Sequence, residues 1–185
     1  MMKFGIIGGV ALLCVLSFAS GVRAQASQGV HPDASPLQLG VGFTFVSFYE
    51  VPSTTVNNAG LNASLVYYHD YLGAEAQVSD AFGSQGGKTS QLLFTGGGIR
   101  LRWPGRGTLE PWVHGLAGYS HLSPKLSFGS DNAVGYKVGA GLDFNPHHSR
   151  IGYRVSADMF GSSFFKTYQL SPEVSAGIVL SLGKE

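Results

Sequence analysis

The side chains able to do chemistry in this sequence are few, and they stand at unusual positions. Glu75, Arg100, Arg102, His114, Lys137, Asp143, Arg154, Asp158 and Glu173 each lie inside a run that alternates apolar with small or polar residues. Residues 134–144 show the pattern most clearly. Val134, Tyr136, Val138, Ala140, Leu142 and Phe144 share one parity, and Gly135, Lys137, Gly139, Gly141 and Asp143 share the other. Strand side chains alternate between two faces, so one face here is wholly apolar and the other carries only glycine and charge. The carboxylates among these residues nearly balance the cations. A charge in a narrow, poorly hydrated space is costly unless it is paired. The expected chemistry is therefore ion pairing in a confined interior, with no catalytic residue. Counting along the strands puts Glu75 and Arg100 at similar heights on neighbours, with Arg154 and His114 near the same level. Lys137, Asp158 and Glu173 are expected to form a second layer further along.

Such charges need strands to hold them, and the alternation recurs about eight times along the chain, as in an eight-stranded barrel. Strands are expected over about residues 37–49, 60–69, 71–79, 91–103, 109–121, 134–144, 150–160 and 171–182. Segments 50–59, 80–89, 122–132 and 161–168 are rich in Gly, Ser, Asn or Pro and read as loops. Shorter turns fall near 69–70, 104–107 and 145–148. Long loops then alternate with short turns, as in barrels that cross a membrane with short turns on one side. Trp103, Tyr71, Phe144 and Tyr67 would lie near one rim, and Tyr119, Tyr49 and Tyr136 near the other. Phe164 and Phe165, in the last loop, are the candidates for an exposed contact. Trp112 has the parity of the inward set and fits a small lumen poorly; a bulge or a position at the rim would resolve this.

The ends and the composition narrow the class. Lys3, the apolar run 4–19 and the small residues at Val22-Arg23-Ala24 or Ala24-Gln25-Ala26 read as a secretory signal, with cleavage after Ala24 favoured over Ala26. The expected organisation is a signal over 1–24, an irregular lead-in over 25–36 and a barrel domain over 37–182. The one cysteine, Cys14, lies inside the signal, so the barrel has no disulfide to rely on. No other stretch is long and apolar enough for a membrane helix, so only strands could cross a bilayer, and only if closed. A net charge of +1 without a basic patch argues against nucleic acid. The 27 glycines follow no G-x-y period and suit crowded strand faces.

Other motifs carry less. Gly83-Ser84-Gln85-Gly86-Gly87-Lys88-Thr89 approaches a phosphate loop, but its leading glycine is one residue too close and no helix follows. Gly96-Gly97-Gly98 lacks dinucleotide spacing. His147 and His148 read as a solvated turn, and no metal or other cofactor is expected. Asn62-Ala63-Ser64 is a formal glycosylation sequon on an inward face.

Taken together, the chain resembles the small bacterial outer-membrane β-barrels of the OmpA/OmpX-like group. Residues 97–103, 111–118 and 174–182 carry the resemblance best, within a match to the pattern over 37–182. The chain ends Leu182-Gly183-Lys184-Glu185, where barrels of this group often end in an aromatic residue. The resemblance implies an all-β, eight-stranded antiparallel up-and-down transmembrane β-barrel in the outer membrane, monomeric and in contact with outer-membrane lipid and lipopolysaccharide. It implies a structural, envelope-integrity or adhesion-like role, with any extracellular partner met through the outer loops. Two alternatives stand beside it. Some lipid A deacylases are small barrels with a lipid-facing His-x-Ser pair and a Glu orienter; this chain has His121-Leu122-Ser123 but no Glu at the matching distance. A soluble lipocalin-like barrel would turn the apolar face inward, which a charged content of 12% supports poorly.

Overall fold

The computed structural model describes residues 36–50, 54–85, 88–103, 108–124, 130–144 and 150–182. The expected signal and lead-in, and His147 and His148, lie outside them. The described chain is β1 (Leu37–Glu50), β2 (Thr54–His69), β3 (Leu72–Gln85), β4 (Lys88–Arg102), β5 (Leu109–Pro124), β6 (Asp131–Phe144), β7 (Ile151–Ser162) and β8 (Gln169–Leu182). A single 3-10 turn, Phe164–Lys166, joins β7 to β8. Each strand pairs antiparallel with its neighbours in sequence, and β1 pairs with β8, so the eight strands close a barrel. Leu37 opposite Leu182 marks its base, and Glu50 opposite Thr54 lies toward its rim. Closure satisfies the strand edges that an open sheet would leave bare.

The alternation in sequence becomes the two faces of the wall. Phe43 (74% exposed), Val134 (78%) and Tyr153 (66%) point outward, as do Leu61, Ile99, Val138, Val155 and Ile178. Glu75, Arg100, Arg102, Lys137, Asp143, Asp158 and Glu173 are buried inside. The β2–β3 connection is a two-residue turn at Asp70 and Tyr71, with His69 opposite Leu72. Asp70 adopts φ 57°, a left-handed conformation that Asp tolerates better than most residues.

Two expectations are corrected at the rim. Segments 50–59 and 80–89 are mostly strand, and so are both ends of 122–132 and the first two residues of 161–168. β1 ends at Glu50 and β2 begins at Thr54; β3 ends at Gln85 and β4 begins at Lys88. The expected contrast of long loops with short turns is lost in these two hairpins. Gly, Ser and Asn weaken an isolated strand, but here each already has a ladder beside it. Asn57 and Asn58, for example, pair with Ser47 and Val46 of β1. Once neighbours supply the backbone bonds, turn-like composition no longer ends the strand.

The interior itself is the second correction. It was expected to be held by ion pairing, and its upper part is apolar. Val46, Ala81, Leu92, Phe94, Leu116, Leu122, Phe160 and Phe164 pack together inside the rim half of the barrel. In β4, β5 and β7 the inward parity changes from charged to apolar partway up, at Phe94, Leu116 and Phe160.

Candidate functional site

The charged interior is built in tiers from the base upward. Near the base, the Arg102 guanidinium lies 3.9 Å over the Tyr68 ring, and its Nε donates to the Asp70 carbonyl at 3.1 Å. Arg154 grips Asp143 with Nε at 2.7 Å and Nη2 at 2.6 Å. Its remaining donors reach Ser64 on β2 and Gln38 on β1, each at 3.1 Å. Bidentate pairs of this kind fix geometry as well as charge.

Trp112 points inward and is 2% exposed. Its Nε1 donates to Asp143 at 2.8 Å, and its ring lies 3.8 Å from the Arg100 guanidinium carbon and 5.3 Å from that of Arg154. Neither a bulge nor a rim position is needed, because the opposite strand position is glycine. A Cβ on Gly141 would come 2.2 Å from Trp112 Cζ2. Gly141→Val is therefore expected to displace the indole and destabilise the barrel by about 1–3 kcal/mol, as overpacking does. A urea midpoint equal to wild type would refute this packing.

The central tier joins four strands. Glu75 on β3 accepts from Arg100 Nε at 2.8 Å and also pairs with Arg100 Nη2. His114 on β5 sets Nδ1 3.0 Å from Glu75 Oε2 and Nε2 2.9 Å from Asp158 Oδ1. A carboxylate accepts and does not donate, so the imidazole satisfies both contacts only as the doubly protonated cation. Ser156 donates to the other Asp158 oxygen at 3.2 Å. With His114 charged, five buried cations, Arg100, Arg102, His114, Lys137 and Arg154, face four buried carboxylates, Glu75, Asp143, Asp158 and Glu173.

Above it, Lys137 Nζ donates to Glu173 at 2.8 Å and to Ser79 at 3.0 Å. Thr44 donates to the same Glu173 oxygen at 2.8 Å. Ser175 donates to Thr44 at 3.0 Å, and Asn62 donates to Ser175 at 2.8 Å. Lys137 also lies 4.8 Å below the Phe94 ring, where the apolar plug begins. Phe94 and Phe160 meet edge to face at 5.8 Å.

The structure brings Glu75, Arg100 and His114 together at one level. It moves Asp158 from the expected Lys137–Glu173 layer to His114, and it gives Arg154 to Asp143, nearer the base. The reason is stagger: tilted strands in a closed barrel offset residues that a simple count along each strand makes level. Phe164 is not an exposed contact; it is 0% exposed and seals the plug from the β7–β8 turn. Phe165 is 41% exposed at φ 52°, and its N–H donates to Asp131 on β6. The polar partners Gln38, Thr44, Ser64 and Ser79 had the inward parity in sequence, but nothing there told them from other small polar residues.

The remaining motifs take ordinary places. Leu122 joins the plug, so His121 and Ser123 face outward. The His121 imidazole bonds Asn132 Oδ1 at 2.6 Å, where the deacylase pattern requires a carboxylate. Lys88 and Thr89 begin a strand, so no helix N-terminus follows the glycine-rich hairpin.

A closed eight-stranded up-and-down barrel, apolar outside and charged inside, has the architecture of the small membrane barrels. Among solved structures, the fold is similar to that of Neisserial surface protein A, with a TM-score of 0.69 and 12% identity over 80% of this chain and 98% of that one. It is similar to Ail, the attachment invasion locus protein of Yersinia pestis, at 0.56 and 17% over 80% and 99%. Ail has also been solved in complex with the heparin analogue sucrose octasulfate. The N-terminal β-barrel domain of Pseudomonas aeruginosa OprF matches at 0.50 and 16% over 83% and 100%. No protein-family model and no curated protein matches the sequence.

Proposed function

We propose that this protein is a sealed, monomeric barrel of the bacterial outer membrane. Its interior network holds the wall together and its rim meets partners outside the cell. The supporting observation is the reversal of faces: an apolar outer wall around buried Glu75, Arg100, Asp143 and Glu173. A soluble monomer rarely exposes so large an apolar surface. A lipocalin-like barrel would place Val138, Val155 and Ile178 inside, and here they are 57%, 41% and 40% exposed. In this reading residues 1–24 direct export to the periplasm, and the base, where β1 begins and β8 ends, faces that side.

The lumen is filled, which argues against solute transport. Trp112, Tyr68 and the arginines occupy its base, and the Phe94–Phe160–Phe164 cluster occupies its upper half. The barrel reconstituted in planar bilayers is expected to give no steps of porin size. Steady open-channel current from the wild-type protein would overturn the sealed reading. The structural and interactive roles separate in a deletion strain tested for detergent sensitivity and for surface binding. The interactive role gains support from Ail, an attachment protein by its name. Phe165 is the rim side chain best placed for such a contact.

A further inference from the structure

The outward wall is apolar from the base upward, and on β3 to β6 it changes character near the rim. The cross-strand pairs set Asp80 beside Leu93, Leu93 beside His121, and His121 beside Asn132 in one row. Gln91 stands opposite Ser123 in the next row up, and Tyr119 opposite Val134 in the row below. These side chains are organised before any ligand arrives. Gln91 Nε2 donates to both Asp80 oxygens, at 2.9 and 3.0 Å. The Tyr119 hydroxyl and His121 Nδ1 converge on Asn132 Oδ1, at 2.5 and 2.6 Å. Because an amide oxygen accepts, that contact places a proton on Nδ1. Tyr119 keeps a ring face open, at 49% exposure.

We infer that Asp80, Gln91, Tyr119, His121, Ser123 and Asn132 form a docking site for the neutral sugar headgroup of a glycolipid in the surrounding leaflet. The chemistry selects that class. An exposed aromatic face beside planar amide, carboxylate and imidazole groups suits a ring that is apolar on its faces and rich in hydroxyls at its edge. No Lys or Arg occupies an outward position of the described parts of β3 to β6, whereas Asp80 does, so the described row favours a neutral group over a phosphate or sulfate. The site continues directly from the apolar wall, so a lipid whose chains lie along Val78, Val134 and Val138 presents its headgroup at this row. The inference rests on the membrane reading above.

The test uses the full barrel in detergent and native mass spectrometry, with lactosyl diacylglycerol and phosphatidylglycerol as competing probes. Retention of the lactosyl lipid should exceed that of phosphatidylglycerol by about ten-fold, and the double variant His121→Ala, Asn132→Ala should lose most of that preference. The heat-dependent gel mobility of both proteins shows whether the barrel is folded; Tyr119→Phe, which keeps the ring, is the milder substitute if the double variant is not. Equal retention of the two lipids, or a preference unchanged in the folded variant, overturns the inference. Free lactose binding as tightly as the lipid overturns the commitment to a membrane source. Fatty acid released from the probe would mean turnover and would equally overturn a docking role. Insertion into plain phospholipid vesicles is measured separately: failure there sinks the membrane reading, whereas insertion without headgroup preference sinks only this site.

Discussion

Glu75→Gln is expected to destabilise the barrel by about 3–5 kcal/mol, the cost of removing one partner from a buried ion pair. The size follows from what Glu75 holds. Its carboxylate is the bidentate acceptor for Arg100 and also faces His114, and its side chain is sealed from solvent. Neutralising it leaves the guanidinium without its counter-charge and leaves Asp158 as the carboxylate still facing the imidazole. The measurement is equilibrium urea unfolding in lipid vesicles, followed by tryptophan fluorescence, because Trp112 stacks on the affected arginine. Arg100→Gln in the same background should restore part of the loss, since two neutral amides can pair where a lone cation cannot. Coupling of this kind is what a double-mutant cycle isolates. A single variant within about 1 kcal/mol of wild type would mean that the lumen is wet enough to solvate Arg100.

Phe160→Ala is expected to cost about 3–5 kcal/mol, the usual range for emptying a buried aromatic site. Phe160 is 1% exposed and meets Phe94 edge to face inside the plug. The wall around it is a closed ladder, which limits how far the site can collapse, so the upper end of the range is favoured. Phe43→Ala is the control. Phe43 is 74% exposed on the outer wall, and its loss removes outer surface without opening a cavity. Its unfolding midpoint should move far less than that of Phe160→Ala. If the two variants are equally stable, the upper lumen is not a packed core. Similar behaviour is expected of Phe164→Ala against Phe165→Ala, because the first side chain lies in the plug and the second lies outside it.

How much of this was legible before folding can be argued residue by residue. The parity of Val138 against Lys137, or of Ile99 against Arg100, is a property of a single strand and needs no partner to be read. The same holds for the inward orientation of Glu173 and the outward orientation of His121. The ends of the strands were read less well. Asn57 and Ser84 look like loop residues in isolation, yet they belong to ladders supplied by segments far from them in sequence. Trp112 could not be placed, because the room for it comes from Gly141 on another strand. The apolar plug was open to detection in part, since Leu92, Phe94, Leu116 and Phe160 already had inward parity. What concealed it was the assumption that one parity keeps one chemistry from end to end.

Alternation therefore settled which face of each strand is greasy, and with it the class of barrel, because side-chain direction is fixed by local backbone geometry. Which charges meet was left to the tertiary structure. His114 reaches Asp158 over Gly139, which lies opposite both, and Arg154 meets Asp143 directly across the β6–β7 pair; both contacts come from the register between strands, which no single strand contains.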